Sequence, residues 1–358
     1  MTEDEKYMTR CIELALRGRG RVSPNPLVGC VIVKKGKIIA EGWQKKFGKS
    51  HAEVNAVNSA IRNGIDVRGS KLYVNLEPCY HYGKTPPCVD MIIKSGIKEV
   101  IIGSKDPNPI VCGKSVKKLR RNGIRVKTGI LKQHCDYLNR YFFKWIVTGL
   151  PYVIIKSAQS LDAKISYKNK PVIISSPESR KLVHGIRAET DAVMIGAVTL
   201  RTDNPSLTVR LVKGRNPYRI VIGNRIRYDS KYNIFNDEYM DRTIVISSKN
   251  GDGFLKHGIK FIKCRARNGI IDIRRALEKI GEMGITSLLV EGGAFTHERF
   301  IEKNLWDEML IFISPKIIGK GIGTFSLSTY LDLSGCKLNY YRISNDILMH
   351  IENVHRDY

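Results

Sequence analysis

The residues best equipped for chemistry are His51, Glu53, Cys79 and Cys88, set in His51-Ala52-Glu53, Pro78-Cys79 and Pro87-Cys88. An imidazole and two thiolates are ligand types that zinc accepts, and three protein ligands leave the fourth tetrahedral position for water. Zinc carries the pKa of that water toward neutrality, so hydroxide forms without a strong base. Glu53 need not ligate. Two residues after His51, its carboxylate can move a proton from the water to a departing group. A structural zinc would close with four protein ligands, and only His81 stands close enough in sequence to be the fourth. Isolated cysteines are often small buried hydrophobes, but the two prolines and the order of the segment favour the hydrolytic reading. The expected centre is one Zn2+ per chain on His51, Cys79 and Cys88, with Glu53 as general acid/base.

This arrangement matches the first half of the His-x-Glu…Pro-Cys-x-x-Cys pattern of zinc enzymes that deaminate nucleobases. It departs in the second half, where eight residues, Tyr80 to Pro87, separate the cysteines. The chain of 358 residues is long enough for two domains of ordinary size. No apolar run reaches the length of a membrane span. The opening Thr2-Glu3-Asp4-Glu5 is acidic and lacks the apolar stretch of a secretory signal. Eight cysteines without a compact spacing point to a reducing, cytoplasmic compartment. A net charge of +26 would suit nucleic acid. Yet the excess is spread over both halves, and its densest cluster, Lys117 to Arg121, has apolar partners at helical spacing and reads as a solvated helix face. No nucleic acid and no membrane are expected as partners.

Elements must deliver those side chains to one place. Apolar residues at Met8, Cys11, Ile12, Ala15 and Leu16 have helical period over residues 4–17. Residues 28–33 and 38–41 read as strands joined by a turn through Gly36. Residues 54–62 read as a helix ended by Asn63-Gly64, residues 72–76 as a strand, 87–95 as a helix and 100–103 as a strand. His51, Glu53 and Cys88 then stand at helix N-termini, where backbone N–H groups favour thiolate and anionic water. Residues 147–151 read as a junction. Beyond it, 152–155, 192–195, 219–222, 243–247 and 287–290 read as buried strands of an α/β fold, in a mixed or parallel sheet covered on both faces. Glu291-Gly292-Gly293 follows one of these strands and precedes a helix over 296–302. A glycine pair there lets backbone approach a phosphate.

Longer motifs carry a family resemblance. They are Pro24 to Gly29, His51-Ala52-Glu53, Leu76 to Cys88, Asp106-Pro107-Asn108-Pro109, Ser160-Leu161-Asp162, Leu207 to Arg210, Val290 to Gly293 and Ser314-Pro315-Lys316. Together they resemble the bifunctional deaminase/reductases of riboflavin biosynthesis over nearly the whole chain. The resemblance implies an N-terminal cytidine-deaminase-like three-layer α/β/α domain over 1–147. It implies a C-terminal dihydrofolate-reductase-like α/β domain over 151–358. The implied activities are zinc-dependent hydrolytic deamination of 2,5-diamino-6-ribosylamino-pyrimidinone 5′-phosphate, then NADPH-dependent reduction of its ribosyl group to ribityl. By the same resemblance, Asn25, Lys84, Thr85, Asp106 and Asn108 line the pyrimidine-phosphate pocket. Lys156, Arg187, Leu207, Arg210 and Glu291 hold the reductase substrate. Ala158, Ile173, Thr199, Asp203, Gly292, Gly293, Ala294, Phe295 and Thr296 meet NADPH. A homo-oligomer acting on a phosphorylated pyrimidine is expected.

The chain departs from the family pattern at Ser115, Ala163, Ile173, Asn204 and Gly223, where Gly, Gly, Trp, Asp and Asp are usual. Most of these lie in the reductase half. Two other functions therefore stand beside the bifunctional enzyme: a deaminase with a decayed, structural reductase domain, and a basic nucleic-acid deaminase.

Overall fold

The computed structural model describes residues 1–80, 86–108, 111–167, 172–325, 327–328 and 330–354. The chain divides into two compact units, Met1–Thr148 and Gly149–Tyr358.

The first unit runs α1 (Glu3–Leu16), β1 (Gly29–Lys34), β2 (Lys37–Trp43), α2 (Ala52–Arg62), β3 (Lys71–Leu76), α3 (Cys88–Lys94), β4 (Glu99–Ser104), α4 (Lys114–Arg121), β5 (Arg125–Thr128), α5 (Lys132–Leu138) and α6 (Arg140–Thr148). The strands form one sheet in the order β2-β1-β3-β4-β5. β1 is antiparallel to β2 and β3, while β3, β4 and β5 are parallel. Successive strand side chains point to opposite faces. Accordingly Cys30, Ile32, Leu72, Val74, Val100 and Ile102 pack with Ala56 and Ala60 of α2, Ile92 of α3 and Leu119 of α4. Val31, Val33, Tyr73 and Ile101 pack instead with Met8 and Cys11 of α1 and Cys135 of α5. That makes three layers, α/β/α, and explains why these strands read as unbroken apolar runs. Thr2 caps α1 in a box with Glu5.

The second unit contains β6 (Tyr152–Ser160), α7 (Pro177–Glu189), β7 (Ala192–Gly196), α8 (Ala197–Asp203), β8 (Tyr218–Ile222), β9 (Thr243–Ser247), α9 (Asp252–Leu255) and β10 (Lys260–Lys263). It continues with β11 (Ala266–Arg267), β12 (Ile270–Ile271), α10 (Ile273–Glu282), β13 (Ser287–Val290), α11 (Ala294–Glu302), β14 (Glu308–Ser314), β15 (Lys337–Ile343) and β16 (Asp346–Glu352). Nine strands form a mixed sheet, β10-β9-β8-β7-β13-β6-β14-β16-β15, and β11 pairs with β12 as a small ribbon. The run from β10 to β14 is parallel, and β16 and β15 extend it antiparallel. Val153, Met194, Ile220, Ile244 and Leu288 bury one face against Leu277 and Ile280 of α10 and Phe300 of α11. The alternate positions Ile154, Val193, Val221, Val245 and Leu289 are buried as well. Both units are thus α/β folds, as expected.

Boundaries differ from expectation where polar residues end an apolar run without ending the strand. β6 continues through Lys156 to Ser160 because β14 pairs with it along that length. α2 begins at Ala52 and α11 at Ala294, each one turn or less earlier than expected. No helix among the described residues is long and apolar enough to cross a membrane.

Candidate active sites

The sheet of the first unit gathers its chemistry at one edge. Gly29 pairs with Trp43, Cys30 with Val74, and Leu76 with Ser104. Hence the Asn25 loop enters β1, the segment toward His51 leaves β2, Cys79 follows β3 and Asp106 follows β4, all at that same edge. His51 is the N-cap residue of α2, Glu53 lies in its first turn, and Cys88 is the first residue of α3 after the cap Pro87.

Nδ1 of His51 and the two sulfurs of Cys79 and Cys88 lie within 4.8 Å of one another. The sulfurs are 3.5 and 3.3 Å from Nδ1. Zinc bonds of about 2.3 Å to sulfur and about 2.0 Å to nitrogen, at a tetrahedral angle, set such atoms roughly 3.5 Å apart. The donor set therefore fits zinc in chemistry and in spacing. The Cys79 thiol is held down to about 4 by the hydrogen bond from the Cys88 thiol, with burial opposing and His51 assisting. The Cys88 thiol is correspondingly pushed up, first by that bond and then by burial. The backbone N–H of Cys88 also donates to Cys79 Sγ at 3.1 Å. Glu53 is buried, and burial, aided by Cys79, lifts its carboxyl to about 7. Asp106 is buried and accepts from the N–H of Asn108 at 2.9 Å, and Asn25 is half-buried. Lys84 and Thr85, like His81 and Pro109, lie outside the described residues.

Four positioning residues escaped the sequence reading. Asn75 and Asn139 are buried; their side-chain amides accept from Gly29 N and Leu27 N, and both donate to Leu27 O. They brace the loop that carries Asn25. Glu77 accepts from the N–H groups of Gly113 and Val116, placing a carboxylate at the start of α4. Ser115, one of the departures from the family pattern, is buried and donates to Pro78 O at 2.6 Å, next to Cys79. The signal for Asn75 and Glu77 was polarity inside or directly after an apolar strand; for Ser115 it was the departure from the family's usual glycine, which did not reveal its partner.

The second unit encloses a cavity of about 1350 Å³ at the carboxyl ends of its parallel strands, the usual ligand side of open α/β sheets. Lys156, Arg187, Arg210 and Glu291 line it, as do Ala158, Ile173, Thr199, Asp203, Gly293, Ala294, Phe295 and Thr296. Leu207 and Gly292 are not among its wall residues. Leu207 is buried with φ of 54°. Gly292 sits behind the wall, where a Cβ would come within 2.6 Å of Gly196 N and Ile195 Cα. Only glycine lets this turn pack on the turn before α8, which is how the backbone at Gly293 reaches the cavity.

Arg187, expected among the residues that hold the reductase substrate, is engaged with a second member of that set. Its Nε and Nη2 make a forked pair with Glu291 at 2.5 and 2.7 Å, and Nη1 donates to Thr208 O. Burial alone would raise the Glu291 pKa, but Arg187 overrides it and carries it to about 2. Of the cations expected to hold the reductase substrate, the two besides Arg187 are Arg210, which spends Nη1 on Thr208 Oγ1, and Lys156, whose pKa burial lowers. His184 holds the Arg210 loop: its Nδ1 accepts from Arg210 N at 2.9 Å. Burial, with Arg187 and Arg210, brings its pKa to about 4 and keeps it neutral. Asp162 accepts from Ser160 Oγ and from the N–H groups of Ile318 and Gly319, tying the segment after β14 to the end of β6. Ala163 beside it has φ of 57°.

Comparison with known proteins follows the same division. A family model described as "Cytidine and deoxycytidylate deaminase zinc-binding region" matches residues 1–104, and one described as "RibD C-terminal domain" matches residues 151–349. The riboflavin biosynthesis protein RibD of Aquifex aeolicus is 38% identical, over 96% of this chain and 95% of that protein. RibD of Actinobacillus pleuropneumoniae is 40% identical, over 88% of this chain and 85% of that protein. A crystal structure from Thermotoga maritima is described as a diaminohydroxyphosphoribosylaminopyrimidine deaminase/5-amino-6-(5-phosphoribosylamino)uracil reductase. It superposes with a TM-score of 0.89 at 37% identity, over 98% of both chains.

Proposed function

The chain belongs to the RibD family of riboflavin biosynthesis, a bifunctional deaminase and reductase using zinc and NADPH, and from that premise we propose how its residues divide the work. The first unit deaminates 2,5-diamino-6-ribosylamino-pyrimidinone 5′-phosphate; the second reduces the ribosyl group of the product to ribityl. The observation that carries the reading is the His51, Cys79 and Cys88 triad at zinc spacing beside a buried Glu53. Neither a decayed reductase nor a nucleic-acid deaminase is favoured: the relatives match along the whole chain, and the reductase cavity keeps its cations.

His51, Cys79 and Cys88 would hold zinc, which when bound makes a water acidic near neutrality. Glu53 takes the proton of that water and returns it to the leaving amine, which departs as ammonia. Its burial suits this double duty, because a carboxyl near neutral pKa both accepts and releases a proton. Asn25, Asp106 and Asn108 present donors and acceptors to the pyrimidine edge, with Lys84 and Thr85 assigned to the same pocket.

In the second unit NADPH when bound supplies the hydride. Opening the sugar ring leaves the ring oxygen in need of a proton. Lys156, which lines the cavity with no hydrogen bond or ion pair among the described residues, is the cation we assign to give it. Arg187 and Glu291 lock each other and hold the wall rigid. Arg210, steadied by His184 and Thr208, meets the substrate phosphate, and Leu207 shapes the loop behind it. Ala158, Ile173, Thr199, Asp203 and the turn from Gly292 to Thr296 meet the cofactor. All eight cysteines are free, which supports a cytoplasmic compartment. We also infer a homo-oligomer that binds no nucleic acid; sedimentation velocity and a salt-dependent gel shift test those points.

Assaying the purified full chain for ammonia release and for NADPH oxidation separately tests the reading. Both activities are expected, the second only with the deaminated intermediate. Ammonia release without NADPH binding would return the second unit to a structural role.

A further inference from the structure

Part of the net charge of +26 is concentrated beside the deaminase site. Two segments lead into that site. Residues 17–28 join α1 to β1 and pass through Asn25, while residues 44–51 join β2 to α2 and end on His51. Between them they carry Arg17, Arg19, Arg21, Lys45, Lys46 and Lys49, all exposed, and no carboxylate.

The two segments are built as a pair. Gln44 N donates to Val28 O and Phe47 N donates to Arg21 O, each at 3.0 Å. Gly18 packs directly on the second segment, where a Cβ would stand 2.5 Å from Gln44 O. Asn55 of α2 holds that segment from behind, its Nδ2 donating to Trp43 O at 2.8 Å and to Ser50 O at 3.0 Å. Trp43 takes one cation from each segment, with Arg17 Cζ 5.1 Å and Lys45 Nζ 5.2 Å from its ring centroid. The backbone that bears the charges is therefore fixed by bonds between the segments.

The charge is not neutralised in place. Arg17, Arg21, Lys45, Lys46 and Lys49 make no ion pair among the described residues. The nearby carboxylates Glu53, Glu77 and Asp106 are buried, and Glu77 accepts from N–H groups at the start of α4. Like charges gathered this closely repel one another, and they raise the local concentration of an anion of opposite sign. The anion that must arrive here is a phosphate monoester, with a charge near −2 at neutral pH.

We propose that residues 17–21 and 45–49 form a cationic collar that draws the phosphate of the deaminase substrate toward the His51 site and lowers its KM. The proposal rests on the deaminase reading and gives a role to charges that no catalytic step uses. It separates local charge from net charge. Lys94, Lys98 and Arg121 are also exposed, but they end α3, precede β4 and end α4, at the opposite edge of the sheet. A strand of this length puts about 20 Å between the two edges, beyond the Debye length of about 8 Å at physiological ionic strength.

The test is ammonia release by the full chain at rising sodium chloride, for the wild type, for Arg21→Gln/Lys46→Gln/Lys49→Gln, and for the control Lys94→Gln/Lys98→Gln/Arg121→Gln. The two variants lose the same charge. The wild-type KM should rise with salt. The collar variant should raise KM roughly tenfold at about 0.01 M salt and only about twofold at about 0.15 M, as screening dictates. Its kcat and zinc content should match the wild type, and the control should follow the wild type throughout. A wild-type KM indifferent to salt, a collar variant no weaker than the control, or a loss confined to kcat overturns the proposal while the deaminase reading stands. So does an RNA oligonucleotide that inhibits the wild type and not the collar variant, which would assign the collar to a polyanion. A wild type that releases no ammonia overturns the deaminase reading itself.

Discussion

At the scale of single residues, the zinc cluster makes separable predictions. Cys88→Ser removes one of the two thiolates among three ligands, so metal analysis of the purified variant should show little zinc and no deamination, with NADPH binding retained. Full zinc occupancy would remove Cys88 from the ligand set. Glu53→Gln keeps the shape but not the base: zinc should stay while turnover falls by roughly 10²-fold or more. Near-normal turnover would assign the proton to another group. Ser115 acts one step further out. Its hydroxyl satisfies Pro78 O in a buried position, and Ser115→Ala leaves that carbonyl unpaired at a cost of about 1–3 kcal/mol. Lower thermal stability and faster zinc loss to a chelator are expected; unchanged zinc release would show that Cys79 does not depend on it.

At the scale of elements, the turn that ends β6 carries an avoidable strain. Ala163 adopts φ of 57° while its carbonyl accepts from Thr324 N and its N–H donates to Ser160 O. Glycine occupies that region without the Cβ penalty, so Ala163→Gly should stabilise the chain by roughly 0.5–1 kcal/mol. That corresponds to a rise of a few degrees in Tm for a unit of this size. An unchanged or lower Tm would mean that the surrounding bonds relax the alanine fully. Asn204, another departure at positive φ (41°), carries no such expectation. Asparagine suits a left-handed helix end, and its side chain bonds Lys231 O and Asn233 N.

At the scale of the whole molecule, the second unit should be the acid-sensitive one. Glu291 is held at about 2, below the ordinary carboxylate value, so its stabilisation is present above about 4.5 and is lost as pH falls toward 2. His184 is held at about 4, below the ordinary imidazole value. A buried neutral histidine must charge on unfolding, so stability is lost as pH falls from about 6.5 through 4. Denaturant midpoints read from Trp306, the single tryptophan of the second unit, should therefore decline below about pH 6.5 and steepen below about 4.5. The readout needs Trp43 and Trp145 replaced by phenylalanine. His184→Gln should flatten the upper part of that decline; an identical profile would place the titration elsewhere.

The sequence by itself determined a candidate set of zinc donors, the carboxylate beside them, the α/β class and the family, because ligand chemistry and the period of apolar runs are local properties of the chain. It also carried the cations of the reductase half as residue types. Only the tertiary structure decided which of them are free. Arg187 faces Glu291 across 104 positions and is paired with it, while Arg225 and Lys249, brought to the neighbouring ends of β8 and β9, make no ion pair among the described residues. The braces Asn75, Asn139 and Ser115 were hidden for the same reason: each acts on backbone far away in sequence. A hydrogen bond depends on where the sheet brings its partner, and pairing across a sheet leaves no periodic trace in the order of residues.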